Sequence, residues 1–293
     1  MKIGWIGLGV MGGPMAAHVQ KGGHQLFVYN RTKEKAEPLL RDGALWCDSA
    51  AQVGESAEIV FSIVGFPADV EEVYLGEKGV LSAAAGCKII VDMTTSTPTL
   101  AKEIAKAAES RGIKALDAPV TGGDIGAKQG TLSVMVGGDE NAYEEVLPVI
   151  RLFAKRVAYM GGPGTGQHAK ACNQISVAGT MIGMVESLLY AYKQGLDPEK
   201  VIEVVGGGAG GSWSINNLAP RIVKGDYKSG FFVEHFVKDM EIALREANAA
   251  GLSLPGLSLI HQLYVAVKAQ GHGRSATQSL FLALQSLSDK GVI

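Results

Sequence analysis

The chain has 293 residues, 47% of them apolar, enough for two domains and a large core. Charged residues make up 19%, the formal net charge is -2 and no basic block is present, which excludes the electrostatic footprint of a nucleic-acid partner. Three widely spaced cysteines (Cys47, Cys87, Cys172) exclude a disulfide framework and point to a reducing cytoplasm, and the six histidines lack the close spacing of a metal site.

The first residues, Met1 to Gly7, contain no long apolar run, so they are read as a strand and not as a secretory leader. Short β-branched runs follow at 3–7, 25–29, 59–64, 88–92, 114–117, 132–136 and 156–159. Helical patterns lie between them, including 14–21, 33–41, 99–110 and 141–153. This alternation predicts an α/β, Rossmann-type domain with a mostly parallel, doubly wound sheet over residues 1–163. A glycine-rich break from Gly161 to Gly166 ends the strand signals. Helical patterns then cover 167–193, 198–205, 233–250 and 255–269, with a last helix near 278–287, which predicts an all-α domain over 164–293. The long first helix is expected to act as a spine between domains or subunits, and the helical domain to carry a homo-oligomer, dimer or tetramer. Its stretch 175–192 carries Gly179-x-x-x-Gly183 but is interrupted by Glu186, so a buried helix is expected and no membrane partner.

The first strand run leads into Gly7-Leu8-Gly9-Val10-Met11-Gly12, a G-x-G-x-x-G pattern that opens a helix. The first glycine suits a tight turn, the second a close approach of the backbone to a pyrophosphate, and the third helix–strand packing. The helix N-terminus offers unpaired N–H groups and a positive dipole end to the phosphates. An NAD enzyme carries an acid at the end of the second strand, to hold the ribose hydroxyls. Here the sequence is Asn30-Arg31-Thr32, with no acid to repel a 2′-phosphate, Arg31 to pair with it and the Thr32 hydroxyl to donate to it. NADP (NADPH) is therefore expected as the cofactor, with NAD at lower affinity.

Three later segments carry further chemistry. Asp117-Ala118-Pro119-Val120-Thr121-Gly122-Gly123 joins a strand run to a helical pattern. Its glycine N–H groups and the Thr121 hydroxyl make a cradle for a carboxylate. In Gly164-Thr165-Gly166-Gln167-His168-Ala169-Lys170-Ala171-Cys172-Asn173-Gln174, the side chains of Lys170, Asn173 and Gln174 share one helix face. Thr165 is expected to cap that helix. A lysine on an otherwise apolar helix is costly without a partner or a task. The third segment runs from Phe231 to Lys238 and Asp239.

Together these segments resemble the β-hydroxyacid dehydrogenase family, which includes 3-hydroxyisobutyrate dehydrogenase, tartronate semialdehyde reductase and the glyoxylate/succinic semialdehyde reductases. The resemblance covers essentially the whole chain. It rests on G-L-G-V-M-G-G-P-M from Gly7, D-A-P-V-T-G-G-D-I-G-A-K-Q-G from Asp117, the Gly164 to Asn173 segment and Lys238-Asp239. It implies NADPH-dependent reduction of a small carboxylate-bearing aldehyde or keto acid, with Lys170 as the residue that protonates the carbonyl oxygen. It further implies that Thr121, Gly122 and Gly123 hold the substrate carboxylate. Val64 and Thr95 would be cofactor contacts, Lys238 a cofactor-side lysine, Asp239 its polar neighbour and Phe231 a pocket wall. The family often has Ser where this chain has Thr121, and Asn where it has Gln174, so whether Asn173 or Gln174 orients the substrate stays open. Imine reductases share this architecture but usually lack the lysine, as does a non-catalytic member, so Lys170 speaks for carbonyl reduction. Oxidation of 3-hydroxyisobutyrate and reduction of tartronate semialdehyde remain alternatives.

Overall fold

The computed structural model describes residues 1–228 and 230–287; the last residues of the expected helical domain, 288–293, lie outside them. The chain divides into two compact units, Met1–Lys170 and Ala171–Ile293.

The first unit carries a nine-stranded sheet. Its strands are β1 (Lys2–Ile6), β2 (Gln25–Tyr29), β3 (Leu45–Trp46), β4 (Ile59–Ser62), β5 (Ile89–Asp92), β6 (Lys114–Asp117), β7 (Val120–Thr121), β8 (Leu132–Gly138) and β9 (Ala154–Gly161). The helices among them are α1 (Gly12–Lys21), α2 (Glu37–Arg41), α3 (Ala50–Ser56), α4 (Pro67–Leu75), α5 (Pro98–Glu109), α6 (Gly123–Gln129) and α7 (Glu140–Ile150). The strand order is β3-β2-β1-β4-β5-β6-β8-β7, with β9 pairing parallel to β8. All pairings are parallel except those of β8 with β6 and β7. This is the doubly wound sheet expected from the strand–helix alternation.

The two-residue period of the strands explains the layers. On one face, Ile3 and Trp5 of β1, Ile59 and Phe61 of β4, and Ile89 and Val91 of β5 join one apolar cluster. Ile6, Val60 and Ile90, the residues in between, join a second cluster with Val53, Tyr74 and Ile104. Strands buried on both faces have no room for polar alternation, which is why β4 and β5 read as β-branched runs. Trp5 stacks on Phe61 with centroids 5.3 Å apart, and Phe153 meets Trp5 edge-on at 5.8 Å. The chain order reverses between β1 and β4, so the crevice beyond their carboxyl ends is the topological switch point of the sheet.

Helix α8 (Thr165–Lys193) opens in the first unit and supplies core residues to the second. The second unit continues with α9 (Pro198–Gly207), α10 (Trp213–Asn217), α11 (Ala219–Val223), α12 (Val233–Ala249), α13 (Pro255–Val267) and α14 (Leu280–Leu287). By length and composition α8 would pass for a membrane span. Its Ala178, Met181, Met184, Val185 and Leu188 are buried in the core of the second unit. Val233, Phe236, Val237, Met240 and Ala243 of α12 recur at helical spacing and complete that core with Tyr264 of α13 and Phe281 of α14.

Candidate active site

The glycine-rich turn leaves the end of β1 at the switch point. Gly7 adopts φ +92°, where an added Cβ would strike the carbonyl of Ile63, and a Cβ on Gly12 would strike the carbonyl of Gly7. Both glycines are required by the turn itself. Gly9 differs: a Cβ there would meet nothing within 4 Å. That open, exposed backbone is a cradle that suits a pyrophosphate, so the residues present fit a dinucleotide. Leu8, Val10 and Met11 complete the turn, with Leu8 buried and Val10 exposed.

Asn30, just past β2, holds this turn in place. Its Oδ1 accepts from the Leu8 N–H at 2.9 Å, and its Nδ2 donates to the Thr32 carbonyl at 2.8 Å. Arg31 is 77% exposed at its side chain and pairs with Asp69 in the first turn of α4, Nη1 to Oδ1 at 3.0 Å. This corrects the expectation that no acid stands near the end of β2: an acid arrives through space from 38 residues along the chain. An exposed pair of this kind is worth about 0–1 kcal/mol. Val64, beyond β4, donates its N–H to Thr94 Oγ1 at 3.0 Å, and Thr95 follows, half-buried. The sheet therefore brings the expected cofactor residues of the first unit to the carboxyl ends of β1, β2, β4 and β5.

A buried polar network underlies the β5 end. Ser62 Oγ donates to Asp92 Oδ1 at 2.9 Å and lies 2.8 Å from the Tyr74 hydroxyl, while the Thr94 N–H donates to Asp92 Oδ1 at 3.0 Å. Burial pushes the Asp92 carboxyl up to about 6 and the Tyr74 phenol well above its usual value. Gln167 of α8 bridges to the same segment. Its Nε2 donates to the Thr94 carbonyl at 2.8 Å, and its Oε1 accepts from the Ser96 N–H at 3.0 Å. None of Ser62, Tyr74, Asp92 or Gln167 stood out as a functional residue in the sequence. An acid closing the apolar run of β5 was the one available signal.

The start of α8 is fixed by Asp117, at the end of β6. Its carboxylate accepts from the N–H groups of Gly164 and Gln167, both at 2.8 Å. Thr165 does not cap the helix as expected; it lies inside it, and its hydroxyl donates to the Gly162 carbonyl at 2.8 Å. A carboxylate satisfies the orphan donors better than a hydroxyl, because its charge also complements the helix dipole. Desolvation raises the Asp117 carboxyl to about 6 even against those hydrogen bonds.

One turn further along α8, Lys170 is buried, and its Nζ donates to the Val120 carbonyl at 2.8 Å. Thr121, Gly122 and Gly123 follow directly and are half-buried. Gly122 has φ +126° and Gly123 φ +64°, backbone conformations that L side chains rarely adopt. The lysine and the expected carboxylate turn are thus brought together within the first unit.

In the second unit, Gln174 and Asp239 are buried. Gln174 Nε2 donates to Asp239 Oδ2 at 2.6 Å, and its Oε1 accepts from Asn173 Nδ2 at 2.7 Å. The Lys238 ammonium lies 3.1 Å from Asp239 Oδ1, within ion-pair range though off the direction of a hydrogen bond. Phe231 packs its ring on Phe236 at 5.5 Å, and its carbonyl accepts from the Thr277 N–H at 2.9 Å. Among the described residues no group of three or more His, Cys, Asp or Glu comes together to hold a metal.

Two family models match consecutive parts of the chain. Residues 2–161 match the NAD binding domain of 6-phosphogluconate dehydrogenase, and residues 164–284 match a family described as NAD-binding of NADP-dependent 3-hydroxyisobutyrate dehydrogenase. The chain belongs to the β-hydroxyacid dehydrogenase family. It is an NAD(P)-dependent oxidoreductase acting on the CH–OH group of hydroxy acids. A probable 3-hydroxyisobutyrate dehydrogenase-like protein of Arabidopsis thaliana is 50% identical, over 99% of this chain and 87% of its own. The 2-hydroxy-3-oxopropionate reductase of Escherichia coli is 39% identical over 99% of both chains. The structure of Mycobacterium tuberculosis 3-hydroxyisobutyrate dehydrogenase with L-serine is similar at a TM-score of 0.85 and 30% identity, covering 97% of this dehydrogenase and 99% of that chain.

Proposed function

We propose that this dehydrogenase works as an NADPH-dependent reductase of a small carboxylate-bearing aldehyde or keto acid, such as glyoxylate or succinic semialdehyde, with Lys170 as general acid. The observation that carries the reading is the buried Lys170 ammonium held 2.8 Å from the Val120 carbonyl, beside the Thr121 turn. The substrate carboxylate is received by the Thr121 hydroxyl and the N–H groups of Gly122 and Gly123. The nicotinamide, when bound, supplies the hydride. Lys170 directs an N–H at the carbonyl oxygen, stabilises the negative charge that grows there and passes it a proton from Nζ. A positioned general acid contributes about 10²–10⁴-fold.

In the helical unit, Asn173, Gln174, Phe231 and Asp239 are assigned to substrate binding and Lys238 to the cofactor side. Gln174 already spends both ends of its amide on Asn173 and Asp239, which favours Asn173 as the amide that orients the substrate. The turn from Gly7 to Gly12 takes the cofactor phosphates, Asn30 braces it, Val64 contacts the cofactor and Thr95 contacts it near the nicotinamide ribose. Arg31 and Thr32 take the 2′-phosphate. A guanidinium–phosphate contact is worth about 1.5–3 kcal/mol, more than the exposed Arg31–Asp69 pair, so the phosphate wins the guanidinium and NADP is preferred over NAD. The enzyme works in the cytoplasm as a dimer or tetramer joined through the helical unit, whose Val204 and Leu259 are exposed.

A second reading, as a 3-hydroxyisobutyrate dehydrogenase or a tartronate semialdehyde reductase, is favoured by what the relatives are called. The retained Lys170 speaks against an imine reductase and against a non-catalytic scaffold. Steady-state rates with NADPH and NADH against glyoxylate, succinic semialdehyde, tartronate semialdehyde and 3-hydroxyisobutyrate test the proposal. Highest kcat/KM for reduction of glyoxylate or succinic semialdehyde with NADPH supports it. Faster oxidation of 3-hydroxyisobutyrate than any reduction replaces it with the second reading.

A further inference from the structure

We infer that Asp69 is a specificity-determining residue that holds back the preference for the 2′-phosphorylated cofactor, acting on the same guanidinium that reads the phosphate. The inference rests on the assignment of Arg31 to the 2′-phosphate.

Arg31 lies in the loop that follows β2 and Asp69 in the first turn of α4, which follows β4, both at the carboxyl end of the sheet where the dinucleotide turn lies. Asp69 Oδ1 occupies one edge of the guanidinium, at Nη1. Its other oxygen, Oδ2, accepts from the Phe66 N–H at 3.0 Å. Asp69 is therefore anchored by its own helix, and its side chain is only 19% exposed, whereas Arg31 is 77% exposed at the end of a long side chain. When a phosphate claims Arg31, the arginine can move toward it and the aspartate cannot follow or withdraw.

Two consequences shift cofactor choice in the same direction. A phosphate on the remaining edge of the guanidinium carries about -1.5 to -2 charge and stands within a few ångströms of a fixed carboxylate. Their repulsion, screened by solvent at an exposed site, weakens binding of the phosphorylated cofactor about three- to tenfold. With a cofactor that lacks the phosphate, the same carboxylate offers a ribose hydroxyl the acceptor that the end of β2 does not supply, because Asn30 spends its carbonyl oxygen on Leu8. Asp69 thus penalises one cofactor and assists the other. The enzyme keeps a moderate preference where Arg31 alone would give a steep one.

The test measures dissociation constants of adenosine 2′,5′-bisphosphate and of AMP by titration calorimetry, with melting temperatures alongside, for wild type, Asp69→Asn, Asp69→Ala and Arg31→Ala. Asp69→Asn keeps an oxygen for the Phe66 N–H and should leave the melting temperature unchanged. It should tighten the bisphosphate and loosen AMP, moving the affinity ratio about three- to tenfold. Asp69→Ala also gives up the helix contact, so it should melt earlier yet move the ratio in the same direction. If Arg31→Ala weakens the bisphosphate but neither Asp69 variant moves the ratio, this inference is overturned and the phosphate reading of Arg31 survives. If Arg31→Ala leaves the bisphosphate untouched, the phosphate reading falls and takes this inference with it.

Discussion

The Lys170 amino group donates to the carbonyl oxygen of Val120 at 2.8 Å, so the proposed proton donor is tied to the residue that precedes the Thr121 turn. Lys170→Met keeps the length of the side chain and removes the donor. It should cost at least about 10² in single-turnover hydride transfer, while the dissociation constant for NADPH stays within a factor of about two. Stability should change little, because a buried polar head is replaced by an apolar group of similar size. Near-normal turnover in this variant would remove Lys170 from the mechanism.

Gln174 and Asn173 are neighbours to which the proposal gives different tasks, and on that reading their variants should separate. Gln174→Ala withdraws the amide that donates to the buried Asp239 carboxylate at 2.6 Å. Leaving that charge short of a donor should cost about 1–3 kcal/mol in urea denaturation. Asn173→Ala removes a half-buried amide that gives one hydrogen bond to Gln174. Its stability loss should be smaller, about 1 kcal/mol or less, with the larger effect in KM for the carboxylate substrate. Equal KM effects with equal stability losses would show that the two amides act as one unit.

The elements legible in the sequence were those with long-range burial on both faces. The fully buried β4 and β5, and the helices between the strands, announce themselves by composition. Strands β3 and β7 have two residues each, too few for any period to show. The glycine turn, Lys170 and the Thr121 turn were legible because backbone geometry and charge burial restrict the residue types. Their bracing was not. Asp117 caps a helix 47 residues away, and Asp69 meets Arg31 across 38. Nothing local to Arg31 signals that partner, so the segment Asn30-Arg31-Thr32 read as free of acid.

The three glycines of the nucleotide turn make a cleaner test of cofactor binding than any charged residue. A Cβ on Gly7 or Gly12 collides with backbone carbonyls, so alanine there should lower the melting temperature together with cofactor affinity. A Cβ on Gly9 meets no protein atom within 4 Å. Gly9→Ala should therefore keep the wild-type melting temperature and, on the proposed placement of the pyrophosphate over this turn, weaken NADPH at least about tenfold. Retained affinity in a well-folded Gly9→Ala protein would move the phosphates elsewhere.

The buried carboxylate of Asp92 gives stability a pH dependence of unusual sign. Burial raises it to about 6 in the folded chain, against the 3.8 usual for an exposed aspartate. Between about pH 4 and 6 the folded chain keeps a proton that the unfolded chain has lost, so stability falls as pH rises through that window. Asp117, also raised to about 6 by burial, acts in the same direction. Asp139, lowered by its hydrogen bond to Lys114, acts in the opposite direction below the usual carboxylate value and so outside the window, whereas His24 and His235, both lowered by burial, oppose the fall at and just above its upper end. A shift of this size corresponds to on the order of 3 kcal/mol for each buried carboxyl. Asp92→Asn cannot titrate, so its unfolding free energy, measured in urea at pH values from 4 to 6, should decline less steeply than that of wild type. The slope is the informative quantity, because the amide also changes the hydrogen bonds to Ser62 and Thr94 and so shifts the whole curve. A slope as steep as that of wild type would assign the effect to Asp117 alone.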